Sequence, residues 1–118
     1  MKAHRLQVRR VDIPNQTDSF DFESLFEIII LATPPEGSST KQILQANRVY
    51  MDFCSARSRV TKSEWTWWLS PELFEILKQQ LSYMRWTATN NPHLRFAVIE
   101  FITQIENSIP EEMEVPSS

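Results

Sequence analysis

The sequence predicts an α+β fold that is mainly helical, with four helices and a minor two-stranded antiparallel sheet. Four segments combine a helix-start signal with apolar residues spaced three or four apart. Two other segments favour strands: residues 4–13 alternate polar and apolar side chains, and residues 64–68 are rich in tryptophan. Because a lone strand leaves backbone groups unpaired, we expect these two segments to pair with each other, although residues 64–68 could also form an irregular packed segment.

Length and composition indicate one domain. The chain has 118 residues, 42% hydrophobic and 23% charged, which is typical of a single globular core. We expect residues 1–110 to form one compact domain and residues 111–118, which are acidic and rich in Pro and Ser, to be a mobile tail. The single cysteine, Cys54, permits no internal disulfide and is expected to be a buried, inert thiol.

The N-terminal residues and the longest apolar run do not predict membrane attachment. The first residues alternate instead of forming an apolar run, so we expect no signal peptide. The longest apolar run, residues 28–32, is too short to cross a bilayer. With one cysteine, these features predict a soluble cytoplasmic protein.

The N-terminal strand and the first helix are bounded by residues with clear conformational preferences. Arg10 interrupts the alternation of residues 4–13, which indicates a bulge or the end of the strand. Asp21 is the predicted N-cap of the first helix. This helix is expected to end at Thr33, because two prolines follow.

The second and third helices have the strongest start signals. Ser39 and Gln42 stand at capping-box spacing, so a helix is predicted from there to about Ala56. Its predicted inner face consists of Ile43, Ala46, Val49, Tyr50, Phe53 and Cys54. Ser70 caps the third helix, and Pro71 fits its first position.

The fourth helix is predicted to begin after the cap Asn91, with Pro92 at its first position, and to end before Pro110. Its predicted inner face consists of Leu94, Val98, Phe101, Ile102 and Ile105. Trp86, which follows the apolar stripe of the third helix, is expected to belong to the core.

Residues that could carry chemistry are sparse. A single glycine excludes glycine-rich phosphate-binding loops. His4, His93 and Cys54 lie on different elements, so no metal site or nucleophilic triad is predicted. Glu72 and Glu75 share one helix but have the spacing of solvent-facing carboxylates. We therefore expect a protein that is not an enzyme and that uses no cofactor and no metal.

The tryptophan segment suggests a contact surface for a protein partner. Trp67 and Trp68 are adjacent, so in an extended segment they point to opposite sides. Either Trp68 or the pair Trp65 and Trp67 should then be partly exposed, unless all of them are core. Exposed tryptophan is a favoured interface anchor. The predicted partner-binding residues are Trp65, Trp67, Trp68, Arg57, Arg59 and Lys62.

The alternative is a nucleic-acid-binding regulator. Arg5, Arg9 and Arg10 on the N-terminal strand, together with the basic loop 57–62, would supply the positive charge. The net charge of −3 and the isoelectric point near 5.4 are of the wrong sign for phosphate binding by the whole domain. We therefore expect a protein partner and no nucleic acid.

Several short motifs resemble those of small accessory proteins of tailed bacteriophages. They are Pro34-Pro35-Glu36-Gly37 at the end of the first helix, Arg48 in the second, Met84-Arg85-Trp86 at the end of the third, and Phe101 to Glu106 in the last. The resemblance spans residues 20–107 and implies a phage or prophage origin, with a role in assembly or in engaging a host protein. It implies a host or virion component as partner, in the host cytoplasm or the virion, and carries no catalytic residue. A homo-oligomer stays open.

Overall fold

The computed structural model describes residues 2–12, 19–86 and 92–112, and within these ranges it confirms an α+β fold with four helices. The strands are β1 (Lys2–Val8), β2 (Arg10–Asp12), β3 (Ser19–Asp21), β4 (Trp65–Leu69) and β5 (Glu111–Glu112). The helices are α1 (Phe22–Ile30), α2 (Thr40–Ser58), α3 (Pro71–Ser82) and α4 (Pro92–Glu106). The predicted cap Asn91 and the end of the first predicted strand, Ile13, lie outside the described residues.

Strand β1 is the centre of a three-stranded antiparallel sheet in the order β4-β1-β5. The predicted pairing of the N-terminal strand with the tryptophan segment is confirmed, with Leu6 opposite Trp67. The prediction of one minor two-stranded sheet is wrong in detail. Strand β5 adds a third strand to this sheet, and β2 pairs with β3 in a separate sheet. The chain leaves β1 at Arg9, whose carbonyl accepts a hydrogen bond from the amide of Phe22 at 2.9 Å. Polar and apolar residues alternate on both sides of Arg10, so the pattern cannot show that the chain leaves one sheet and enters another.

The expected mobile tail needs a correction at its start. Glu111 and Glu112 pair with Ala3 and Lys2 as strand β5, and Glu111 also forms an ion pair with Arg5 at 3.6 Å. Opposite charges on the two strands favour this pairing. Residues 113–118, the rest of the predicted tail, lie outside the described residues.

The free edge of β1 next to β5 is covered by a side chain. Gln104 of α4 accepts from the amide of Gln7 at 2.8 Å, and its own amide donates to the Gln7 carbonyl at 3.2 Å. One side chain therefore reproduces the two hydrogen bonds of a neighbouring strand, which protects an edge that could pair with another chain.

The predicted starts of α1, α2 and α3 are confirmed. Asp21 accepts from the amide of Glu23 at 3.0 Å, and both hydrogen bonds of the capping box between Ser39 and Gln42 are present. Ser70 accepts from the amide of the third residue beyond it, and Pro71 opens α3. The helix ends differ more: α1 stops three residues before Thr33, and α2 continues two residues beyond Ala56.

The core is an aromatic cluster between the inner face of the sheet and the helices. Trp67 of β4 lies 5.3 Å from Phe26 of α1 and 4.9 Å from Phe53 of α2, measured between ring centroids. Phe101 of α4 is 4.9 Å from Phe26. The Nε1–H of Trp67 donates to Asp52 at 2.9 Å, so its one polar atom is satisfied. This cluster fixes α1 and α2 side by side over the sheet.

Candidate protein-interaction surface

The structure places the tryptophans differently from the predicted contact surface. Trp67 is fully buried and Trp65 is 7% exposed, because both point from β4 toward the helices. The side chains of Trp65 and Trp67 are therefore not available for contact with a partner. Trp68 is half-buried on the opposite side of the strand, as the alternation requires. Trp86, expected in the core, is 39% exposed because α3 ends at Ser82 and the helical stripe does not reach it.

The predicted basic residues are also not gathered with the tryptophans into one surface. Arg57 forms ion pairs with Glu23 at 2.8 Å and with Glu27 at 3.7 Å, which tie α2 to α1. Arg59 donates to a serine hydroxyl one turn earlier on its own helix, at 3.1 Å. Lys62 is exposed and borders a polar cleft beside the buried Trp65. Arg57 thus has a structural role, in joining two helices.

Each arginine proposed for nucleic-acid binding faces a carboxylate. The pairs are Arg5 with Glu111, Arg9 with Glu100, and Arg10 with Asp21. The Arg9 guanidinium also lies 5.1 Å from the centre of the Phe22 ring. The positive charge of the N-terminal strand is therefore compensated locally, which weakens its attraction for phosphate.

A different surface stands out, on the side of α1 and α2 that faces away from the core. It consists of five apolar side chains that are between 52% and 65% exposed: Ile28, Leu31, Ile43, Leu44 and Met51. We call this set the α1–α2 face. Exposed apolar side chains that occur singly are ordinary, but several large ones on the outer sides of two neighbouring helices indicate a candidate interaction site.

The geometry of α2 explains why part of this face exists. Val49 and Phe53 are fully buried and occupy the side of the helix that faces the core. Leu44 and Met51 are seven residues apart, so they share a side, and that side is opposite Val49. Helix α2 therefore carries two apolar stripes, of which the core covers one.

A groove with a volume of about 210 Å³ runs between the end of α1 and the first half of α2. Its walls include Leu31, Ile43, Ala46 and Tyr50. A hydrogen bond with Cys54 raises the pKa of Tyr50, so its hydroxyl stays neutral at physiological pH. The groove can take an apolar side chain from a partner without burying a charge.

Gln80 of α3 forms the base of this groove and is 5% exposed. Its side-chain amide nitrogen donates to the carbonyls of Ile30 at 2.9 Å and Ala32 at 2.8 Å, and the carbonyl of Ile29 lies 3.4 Å away. These carbonyls lie in the last turn of α1 and just beyond it, where helical partners run out, although that of Ile29 also accepts from the amide of Ala32 at 3.0 Å. Gln80 thus caps α1 and fixes the wall that contains Leu31.

Ion pairs lie beside the α1–α2 face. Arg48 pairs with Glu72 of α3 at 3.0 Å, and Arg57 pairs with Glu23 between α2 and α1. In the part of the chain that the structure describes, no three His, Cys, Asp or Glu side chains are grouped to hold a metal ion. Across those same ranges, every helix is too short or too polar for a bilayer span.

Sequence reasoning missed this face because it assigned Ile43, Tyr50 and Cys54 to the core. Ile43 is 58% exposed, and the other two are half-buried. The usable signal was Leu44 and Met51, two large apolar residues that lie outside the predicted inner stripe. A helix with apolar residues on opposite sides predicts a second contact in addition to the core.

Comparisons with known proteins leave this surface to be interpreted from its own geometry, since no protein family, curated protein or solved structure matches the chain.

Proposed function

We propose that this chain is a non-enzymatic protein-interaction module that binds a protein partner through the α1–α2 face. The supporting observation is that five large apolar side chains, each more than half exposed, lie on two neighbouring helices, where Leu31 and Ile43 line one groove. They present on the order of 500 Å² of apolar surface, which is near the upper end for the largest patch of a monomeric protein.

The energetics favour a partner with its own apolar surface. Burying the exposed half of one such side chain contributes about 1 kcal/mol, so five contribute roughly 5 kcal/mol before the cost of association. The partner buries apolar surface of its own and can insert one side chain into the groove. These contributions raise the binding free energy to the range of specific binding. The neutral Tyr50 hydroxyl and the amide of the exposed Asn47 supply polar contacts that can fix orientation.

The biological setting we propose is that of a phage or prophage accessory or assembly factor, acting in the host cytoplasm or in the virion. It is supported by the motif resemblance over residues 20–107. The partner would then be a host protein, a virion component or a second copy of this chain.

Affinity capture tests the proposal. The tagged chain is incubated with lysate from cells that produce it, and bound proteins are identified by mass spectrometry. We expect Met51→Glu to lose the captured partner, because it places a charge in an apolar contact. Ile99→Glu is the matched control, since Ile99 is 50% exposed on α4. Thermal melts establish that both variants fold. Equal capture by the two variants would show that the α1–α2 face is not the contact.

Nucleic-acid binding through the N-terminal strand is the competing function, and the arginine–carboxylate pairs argue against it. We expect no binding of a random-sequence oligonucleotide at physiological salt, measured by fluorescence anisotropy. A true phosphate site with roughly five contacts would lose two to three powers of ten in affinity over a fourfold rise in salt. Tight, salt-sensitive binding that is lost when Arg5, Arg9 and Arg10 become Ala would replace the protein-interaction function.

A further inference from the structure

We infer that the protein bound at the α1–α2 face is a second copy of this chain, related by a two-fold axis near the middle of α2. The inference rests on the proposed function and specifies its partner. It is carried by three observations: the spacing of the exposed residues on α2, the size of the apolar area, and the balance of charge around it.

The exposed side of α2 has the spacing of a helix that packs along another helix. Thr40, Leu44, Asn47 and Met51 are all exposed and recur at intervals of four, three and four residues. This is the a/d spacing of a helix–helix seam. Since α2 has 19 residues, it is about 28 Å long and can sustain such a seam.

A two-fold axis that passes near Asn47 makes this seam complementary to itself. In antiparallel packing, Leu44 of each copy then lies opposite Met51 of the other, so the two most exposed large apolar side chains of α2 cover each other. The two Asn47 amides meet near the axis, where each can donate and accept a hydrogen bond. Thr40 makes the end of the seam polar as well, but Asn47 is the polar residue at its centre, and a central Asn can set the register of paired helices.

The apolar area matches what a dimer requires. One face presents on the order of 500 Å², so two faces stacked on each other bury on the order of 1,000 Å², where specific interfaces begin. An isolated partner helix would cover only the groove between α1 and α2. A second copy covers Ile28 and Leu31 beside α1 as well, because it presents two helices of the same width.

The charge around the face also suits a second copy. Arg48 lies next to the axis, and its pairing with Glu72 at 3.0 Å reduces the repulsion between the two copies. Between α2 and α1, Arg57 is neutralised by Glu23 and Glu27. Because these charges are paired, the surroundings of the face favour neither a strongly acidic nor a strongly basic partner. Two copies of the chain can therefore approach each other without strong repulsion.

Sedimentation equilibrium of the purified full chain provides the first test. We expect a concentration-dependent mass between that of one chain, 13.9 kDa, and twice that value. The double variant Leu44→Glu/Met51→Glu should weaken the dimer at least about 100-fold, because four charges enter the interface. The matched variant Phe96→Glu/Ile99→Glu, which alters two exposed apolar residues of α4, should leave the dimer unchanged.

Disulfide trapping tests the arrangement. In a Cys54→Ser background, Leu44→Cys/Met51→Cys should form an interchain disulfide on mild oxidation. The two positions lie about 10 Å apart on one helix, beyond the reach of an intrachain bridge. The control is Phe96→Cys/Thr103→Cys, which has the same spacing on exposed positions of α4 and should stay monomeric.

The possible outcomes separate the inference from the proposed function. A chain that stays monomeric up to about 0.5 mM overturns the second copy as partner. If Met51→Glu nevertheless abolishes capture of a different protein, the proposed function survives with that protein as partner. If the chain is monomeric and Met51→Glu changes no capture, both fail. A dimer that persists in Leu44→Glu/Met51→Glu overturns the inference by placing the interface elsewhere.

Discussion

Replacing Gln80 with Glu should destabilise the fold far more than the same replacement one residue earlier. Gln80 is buried, and its amide nitrogen donates to the carbonyls of Ile30 and Ala32. Gln80→Glu preserves the shape of the side chain and substitutes an acceptor for the donor. Gln79 is exposed on the same helix, so Gln79→Glu introduces the same charge without touching these carbonyls.

The expected magnitude follows from the contacts. Losing a donor to a buried carbonyl costs about 1–3 kcal/mol. Of the two residues whose carbonyls accept from Gln80, Ile30 is buried and Ala32 is half-buried. We therefore assign about 2 kcal/mol to loss of the amide. Repulsion between the new carboxylate and these oxygens adds at least about 1 kcal/mol at pH 7. The total of about 3 kcal/mol corresponds to a fall in Tm of about 10 °C for a domain of this size.

Thermal and urea unfolding followed by circular dichroism measures this loss. Gln79→Glu should stay within about 0.5 kcal/mol of wild type. Gln80→Leu should lose about 2 kcal/mol, since it removes the donor without adding a charge. Gln80→Glu should recover part of its stability in acid, where the carboxyl group gains a proton that it can donate. Equal Tm values for Gln80→Glu and Gln79→Glu would refute the role of Gln80 as the cap of α1.

Two further predictions concern the core. Burial lowers the pKa of His4, which stacks on Phe74 at 3.5 Å, so the unfolded chain takes up a proton that the folded chain resists. The free energy of unfolding should be constant above about pH 6.5 and decrease below it, whereas His4→Gln should show a flatter profile in urea titrations from pH 7.5 to 5.5. Measured by guanidinium unfolding, Trp67→Ala should lower the free energy of unfolding by about 3–5 kcal/mol and Trp86→Ala by less than about 1 kcal/mol. Equal losses would contradict the burial assigned to the two tryptophans.

The sequence predicts those features of the fold that depend on neighbours along the chain. The starts of α1, α2 and α3 depend on the side chains of Asp21, Ser39 and Ser70, each of which accepts from an amide two or three residues away. Such contacts form wherever the local pattern is present. The pairing of β1 with β4 was also predictable, because few other partners were available for either segment.

Features that depend on distant residues were not predictable. Strand β5 is two residues long, which is too short for any periodic signal. The early end of α1 is stabilised by Gln80, about 50 residues further along the chain. The sequence placed Val49 and Phe53 on the inner face of α2, but it could not show that Ile43 is exposed and lies on the outer surface with Leu44 and Met51. The α1–α2 face therefore emerged from the structure.

Hydroxyl-radical footprinting tests most directly whether the α1–α2 face is the interaction surface. Oxidation of side chains is measured by mass spectrometry in the isolated monomer and in the associated state. The two-helix contact predicts that oxidation of Leu44 and Met51 falls several-fold on association, because they leave solvent. Phe96 and Ile99 on α4 should be oxidised equally in both states. Unchanged oxidation of Leu44 and Met51, with protection of the α4 residues instead, would contradict the assignment of the α1–α2 face as the binding surface.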